Sequence, residues 1–556
     1  MLVRFYNRVV RYVIKTTLSA FRTQFWVWLA LASILAVVLA SRLSGPISGQ
    51  AAAPENLNPA VTLEGRFNIL WADGAPGTGL EKTLFVLSRD GLEDTAIDFS
   101  ERLPLAYNDL LQLRGRWVTL KGSWNGVSAS TFTASAVAAG DAPVPLGPLV
   151  SGAQPWVTVM CKFQDDSDEP RTPAFFQAMY GSSYPMLDHY WREQSYNQMN
   201  IAGSQAVSHW YTLPHPRSYY IGTSADLPAL ADDCTAAANP EVNYAAYLGI
   251  NMMFNDDLDG YAWGGSHYMT LDGVSRTWYM TWEPPWGYRD LTVIAHEMGH
   301  GFGLPHSAFN RSKVYDNRWD VMSDTWTDCA NLRDPTYGCL GQQTIAYHKD
   351  LEGWLTGRQT TVSQGSQVTL SLEQLDLPAT GNLLLAKVPV SGTNRFYTVE
   401  VRRKVGYDTK LPGQAVILHL VDPYQSQSIP AQLVDLDGNT NTGDAGAQWL
   451  PGETFADAAN GIWIRVDQAL STGFIVTISN CFGTATPPSP TPTRTPTRTR
   501  TPTLTPTFTS TPTSTSTPTR TSTPTRTFTP THTLTPVSTV DPAILTIHLY
   551  IPVLQR

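Results

Sequence analysis

His296-Glu297-Met298-Gly299-His300-Gly301-Phe302-Gly303-Leu304-Pro305-His306 places three imidazoles and one carboxylate within eleven residues. On a helix, positions i and i+4 share a face, so His296 and His300 can turn their ring nitrogens toward one point with Glu297 beside it. Gly303 lacks a Cβ and can adopt positive φ at a helix end, which bends the chain and brings His306 round as a third ligand. Three protein ligands leave a fourth position open, the arrangement that separates a catalytic zinc from a structural one. Histidines scattered over a surface or a core are the plainer reading of any H-E-x-x-H. With 11 His and 41 Gly in the chain, chance assembly of all five fixed residues is on the order of 10⁻⁵, so metal binding is the better account.

The extended pattern resembles the metzincin metalloproteases, which add a methionine-containing turn beneath the metal. Trp319-Asp320-Val321-Met322-Ser323 stands where that turn is expected, with Met322 as its methionine. Four further segments narrow the resemblance to the gametolysin-type branch and its bacterial relatives: Val159–Asp166, Tyr184–Ile201, Ala262–Gly265 and Ile345–Asp350. It covers about residues 155 to 480. Two residues after the turn methionine, astacins and serralysins carry a tyrosine that can approach zinc; here that position is Asp324. The resemblance implies a secreted or surface endopeptidase with Zn2+ on His296, His300 and His306 and Glu297 as general base. It makes extracellular glycoproteins plausible substrates.

Length and composition fit such a chain. At 556 residues it exceeds one hydrophobic core, so several domains are expected. A net charge of −9 argues against nucleic acid as the partner. Arg4, Arg8, Arg11, Lys15 and Arg22 precede an apolar run from Phe25 to Ala40, an export signal over residues 1–45 that is either cleaved after Ala40 or kept as an anchor. Of five cysteines, Cys329 and Cys339 enclose a short polar loop and are expected to pair; Cys161, Cys234 and Cys481 leave one further bridge and one thiol. A cysteine ahead of the motif could instead be an inhibitory zinc ligand. Cys161, however, lies in the apolar run Trp156–Phe163, which reads as a buried strand.

The expected class is α+β: a zincin-like catalytic domain (155–358) between a small N-terminal β-barrel (57–144) and a C-terminal β-sandwich (360–482). The barrel's outline is vaguely OB-like, with strands at Val61–Trp71, Thr83–Ser88, Arg116–Trp124 and Thr131–Val137. It carries no cluster that demands chemistry, and its role as pro-segment, folding aid or binding module stays open. Gly147–Pro155 reads as a linker. Helices are expected over Pro185–Glu193 with Pro185 near N1, Arg289–Gly301 with Asp290 as cap, and Gln343–Leu355. His189 and His348 read as structural histidines. Ala262–Ser266 reads as the strand bordering the cleft, where a sheet edge could pair with extended substrate.

Asp435, Asp437, Asn439 and Asp444 bunch oxygen donors as a calcium loop does, without EF-hand spacing; a solvated turn and a Ca2+ site both remain open. Residues 484–540 form a Thr/Pro repeat that cannot bury a core, expected to be a disordered, extended spacer. Residues 541–556 turn apolar again, as a terminal tag would. Two rival functions remain: a catalytically silent metalloprotease-like adhesin, against which an intact Glu297 argues, and a glycan-binding protein whose 17 Trp stack on sugars.

Overall fold

The computed structural model describes residues 61–481 apart from 90, 91, 93, 101, 126–130, 141–149, 312–314 and 426–428. The export signal, the Thr/Pro spacer and the terminal tag lie outside the described residues. The described chain is mixed α+β, rich in sheet, with few helices and a closed five-stranded barrel at its start.

The barrel comprises β1 (Val61–Gly74), β2 (Glu81–Ser88), β3 (Thr95–Asp98), a short helix α1 (Tyr107–Leu111), β4 (Trp117–Trp124) and β5 (Thr131–Ala139). The order β2-β3-β5-β4-β1 closes because β1 also pairs with β2. Alternation along β1 separates two cores. Phe67, Ile69 and Trp71 pack inside the barrel with Leu120 and Phe132, whereas Leu70 and Ala72 belong to the larger core that follows.

That larger core is built on β6 (Gly152–Ala153), β7 (Trp156–Lys162), β8 (Met199–Asn200), β9 (Gln205–Thr212), β10 (Gly249–Phe254), β11 (Tyr261–Leu271) and β12 (Val274–Glu283). Its main sheet runs β11-β12-β10-β7-β9. β7, β9, β10 and β12 are parallel neighbours, and β11 is antiparallel to β12. β7 and β10 are apolar almost throughout because both faces are covered. The part of the expected linker that is described is no free connector, since Gly152–Ala153 pairs with Met199–Asn200. Cys161 on β7 is bonded to Cys234 and fully buried, which removes it as a metal ligand; Cys329 is bonded to Cys339, and Cys481 is free.

The sheet carries α2 (Pro173–Ala178), α3 (Leu187–Gln194), α4 (Arg217–Tyr220), α5 (Leu227–Ala238) and α6 (Leu291–Phe302). α3 starts later than Pro185 at N1 would require: Met186 is its N-cap, and Pro185 lies outside behind a cis peptide. In α6, Leu291, Ile294, Ala295, Met298 and Phe302 enter the core. Asp290 stands at its N-cap position without capping it, because its carboxylate accepts the Cys339 N–H at 2.7 Å. The expected helix at 343–355 is only α7 (Ala346–Leu351). Gln343 and Thr344 use their backbone and side chains in a buried polar network instead, and Gly353 at φ 77° ends the run.

The remaining strands are β13 (Ser307–Ala308), β14 (Arg333–Asp334), β15 (Gly338–Cys339), β16 (Gln359–Thr361), β17 (Ser366–Glu373), β18 (Leu385–Pro389), β19 (Phe396–Arg402), β20 (Ala415–Val421), β21 (Ala431–Leu433), β22 (Thr454–Asp457), β23 (Ile462–Ala469) and β24 (Gly473–Asn480). Sheets β13-β21-β20-β19-β18-β16 and β17-β24-β23-β22 share one apolar core around Val399, Leu418, Ile464 and Val476. Through β13, directly after His306, the metal motif is stitched into this C-terminal part. Among the described residues, no helix is long and apolar enough to cross a membrane.

Candidate functional site

Helix α6 positions the first two imidazoles. It ends in a Schellman arrangement, with Gly303 at φ 113° donating to His300 O at 3.0 Å and Leu304 N donating to Gly299 O at 2.9 Å. The reversal carries His306 back over the helix. Nε2 of His296 lies 3.0 Å from that of His300 and 3.3 Å from that of His306, and His300 Nε2 lies 3.1 Å from His306 Nε2. All three rings are buried.

Tautomers follow from the opposite side of each ring. His296 Nδ1 donates to Val321 O at 2.7 Å and His300 Nδ1 donates to Leu304 O at 2.8 Å. Their Nε2 atoms therefore carry lone pairs, and lone pairs converging in a buried space form a donor set that can hold a cation. The spacing suits zinc. Zn–N bonds of about 2.0–2.1 Å in a tetrahedron separate the ligand atoms by roughly 3.3 Å.

Beneath the rings, Met322 lies against the helix where Gly299 leaves room: a Cβ on Gly299 would stand 2.6 Å from Met322 Sδ. Asp320 holds the turn by accepting from Met322 N (3.1 Å), Ser307 Oγ (2.6 Å) and Thr344 Oγ1 (2.8 Å). His348 Nδ1 stands 3.2 Å from the same carboxylate and, against the cost of burial, helps keep it well below the ordinary range. His348 and His189, which contacts Tyr407 Oη at 3.1 Å, are thus placed in structural networks. Arg402, fully buried on β19, ties the C-terminal sheet to the turn through Trp319 O, Gln343 O and a two-pronged pairing with Asp408.

Glu297 is wholly buried, and neither of its carboxyl oxygens has a hydrogen-bond partner among the described residues. Both it and His296 line a cleft cavity of ≈ 460 Å³ that Trp286, Val293, Asp324 and Trp326 also border. Burial, with the Asp73 and Glu283 carboxylates nearby, pushes Glu297 well above the ordinary carboxylate range. Glu283, at the end of β12, is pushed up to about 8 by burial and by Asp73. A dication among the histidines would act against both rises.

Three residues at the site were not singled out by sequence. Asp73, the penultimate residue of β1, puts Oδ1 2.8 Å from His306 Nε2 and 3.2 Å from His296 Nε2, with Oδ2 3.2 Å from His300 Nε2. Tyr315 donates its hydroxyl to Asp73 Oδ1 at 2.6 Å, and Trp71 stacks on the His300 ring at 4.8 Å. Trp71-Ala72-Asp73-Gly74 reads locally as a strand running into a turn, so nothing in the sequence marks Asp73 as special. Tyr315 falls outside the Met-turn register in which a tyrosine is sought. Nor is the edge strand free: β11 is paired along Tyr261–Gly265 with β1.

Asp435, Asp437 and Asp444 come together, their carboxylate oxygens within 4.8 Å of one another. Asn439 joins them as a donor, its Nδ2 bonding Asp437 Oδ2 at 2.9 Å and Asp444 Oδ2 at 2.7 Å. Burial, together with the neighbouring Asp437, raises Asp435 to about 6.

No protein-family model matches the chain, and no curated protein matches it.

Proposed function

We propose that the chain is a zinc-dependent endopeptidase of the metzincin kind, secreted or held at the cell surface, that hydrolyses internal peptide bonds of protein substrates. The observation that carries this reading is the convergence of three buried imidazole Nε2 atoms within 3.0–3.3 Å of one another, beside a buried carboxylate with no partner of its own among the described residues. His296, His300 and His306 would hold the ion. Bound there, zinc supplies Lewis acidity and an acidified water.

The chain's own groups do the rest. Glu297 sits next to the ligands on α6 and on the cavity wall, where it can accept the proton of the attacking water and return it to the leaving amine. The Val321 and Leu304 carbonyls hold the rings of His296 and His300 in the ligating tautomer. Tyr315, whose hydroxyl points at the metal cluster, is placed to donate to the developing oxyanion once Asp73 no longer occupies it. Two disulfides support an oxidising, extracytoplasmic setting. Extracellular glycoproteins are the proposed substrates, and a Ca2+ ion on Asp435, Asp437 and Asp444 would steady a loop whose Thr442 O accepts from Trp319 of the Met turn at 2.9 Å.

Zinc analysis together with a protease assay on Glu297→Ala tests the reading. Compared with its parent, both carrying Asp73→Ala so that the carboxylate facing the histidines does not mask activity, the variant should keep about one zinc per chain and lose at least ~10²-fold in turnover, the usual scale for a general base. Unchanged turnover, or full activity after exhaustive removal of metal, would refute it.

A further inference from the structure

The N-terminal barrel does not sit beside the catalytic unit as a separate module; it enters the site. The order β4-β1-β11-β12 makes one continuous sheet in which β1 occupies what would otherwise be the free edge of the catalytic sheet, antiparallel to β11 from Leu70↔Gly265 to Gly74↔Tyr261. An extended peptide bound at this cleft would use that same edge, since unpaired strand amides and carbonyls are the natural dock for a substrate backbone. β1 ends over the metal cluster. Its pleat puts Trp71 and Asp73 on one side, where Trp71 stacks on His300 and the Asp73 carboxylate lies 2.8–3.2 Å from all three Nε2 atoms. One oxygen faces His296 and His306 and the other faces His300, so the carboxylate covers the side of the cluster that the three imidazoles leave open.

We propose that Asp73 is the fourth zinc ligand of a latent enzyme and that the barrel is a built-in inhibitor, blocking both the water position and the substrate edge until β1 is displaced. The inference rests on the zinc peptidase reading and adds its regulation. A zinc held by three His and one Asp is closed, and a closed site performs no hydrolysis. Yet a permanently structural site would have no use for Glu297, buried with both oxygens unpartnered on the wall of the cavity. The barrel's own grip points to a seated, specific contact. Arg114 donates to Gly301 O at 3.0 Å and Phe302 O at 2.9 Å, and Tyr107 Oη donates to Gly303 O at 3.2 Å, so that it holds the C-terminal end of the helix that bears His296 and His300. Tyr315 completes the closed state by bonding Asp73 with the hydroxyl it would otherwise offer to substrate.

The test uses the full zinc-loaded chain as wild type, Asp73→Ala and Asp73→Asn, with acetohydroxamate as a small zinc-directed probe whose binding is read by calorimetry. Metal content and a peptide assay are read in parallel. Zinc should stay near one per chain in all three, while acetohydroxamate should bind Asp73→Ala at least tenfold more tightly than wild type, with Asp73→Asn between them and peptide hydrolysis rising in the same order. Should Asp73→Ala fail to fold, Asp73→Asn, which keeps the shape and can still accept from Tyr315, decides by the same comparison. Equal probe binding with zinc present throughout overturns latency and leaves the zinc reading standing. Zinc lost only when Asp73 is replaced makes Asp73 a structural ligand and also overturns it. Absence of zinc from every form sinks the peptidase reading as well, whereas tighter probe binding without hydrolysis supports the fourth-ligand assignment and removes the peptidase.

Discussion

Gly264 on β11 faces the helix that carries Glu297 and His300, and Gly264→Ala probes how closely that helix must lie on the sheet. A Cβ at this position would stand 2.5 Å from Glu297 O, 2.8 Å from His300 Cβ and 2.9 Å from Glu297 Oε2. The nearest of these is backbone, so it cannot rotate away. Ordinary contact begins at 3.4 Å, and α6 must therefore retreat by about 0.9 Å at the turn that holds both Glu297 and His300. Overpacking of this kind costs about 1–3 kcal/mol of stability. Its chemical effect is larger, because a shift of about 1 Å in a reacting group lowers turnover by roughly 10²-fold. Stability would be measured by denaturant unfolding, zinc affinity by competition with a chelator, and peptide hydrolysis in an Asp73→Ala background so that latency does not mask the loss. Gly222→Ala serves as control, since a Cβ there meets nothing within 4 Å; it should stay within about 0.5 kcal/mol of the parent. A Gly264→Ala protein with stability, zinc affinity and turnover all like the control's would refute the claim that close sheet-to-helix contact sets the site.

Replacing His306 by Ala leaves two imidazoles and should weaken zinc by orders of magnitude in a chelator competition, even with Asp73 in place. Arg402→Met should cost about 3–5 kcal/mol in denaturant unfolding, because Asp408 and Glu400 would stay buried without their cation; adding Asp408→Leu should recover part of that loss, and full tolerance of the single change would show that the network does not hold the Met turn. Glu352 gives a pH test. Burial, opposed by Arg114, pushes it up to about 8 from an ordinary 4.5, and both its oxygens lack hydrogen-bond partners among the described residues. Its neutral form is the one the fold accepts, so below about pH 4.5 it carries no penalty, and stability falls as pH rises from there toward about 8. Glu352→Gln, neutral throughout, should gain on its parent between pH 5 and pH 8 in parallel unfolding curves; a pH-independent difference would show that the carboxyl ionises freely in the folded chain.

The convergence of the three histidines was legible because it is local. His296, Glu297 and His300 are tied by helical period and His306 by the turn at Gly303, all within eleven residues, and covalent geometry leaves such a segment few ways to fold. Strands such as Gly249–Phe254 and Ala415–Val421 were equally readable, since continuous apolar runs of that length between turn signals have few other destinations. The helix expected at Gln343–Leu355 failed for the opposite reason: Gln343 and Thr344 answer to Asp376, Asp408 and Asp320, partners that no local pattern encodes.

By itself the sequence determined which imidazoles can converge on one point and that a carboxylate stands beside them. Only the tertiary structure decided which group faces them. Asp73 reaches His306 across 233 positions of chain, on a strand whose place between β4 and β11 is set by sheet closure and by the two cores that β1 separates. Strand pairing over such a distance depends on the fit of whole surfaces, so an aspartate that reads as the end of a strand becomes, once folded, the group that faces all three histidines.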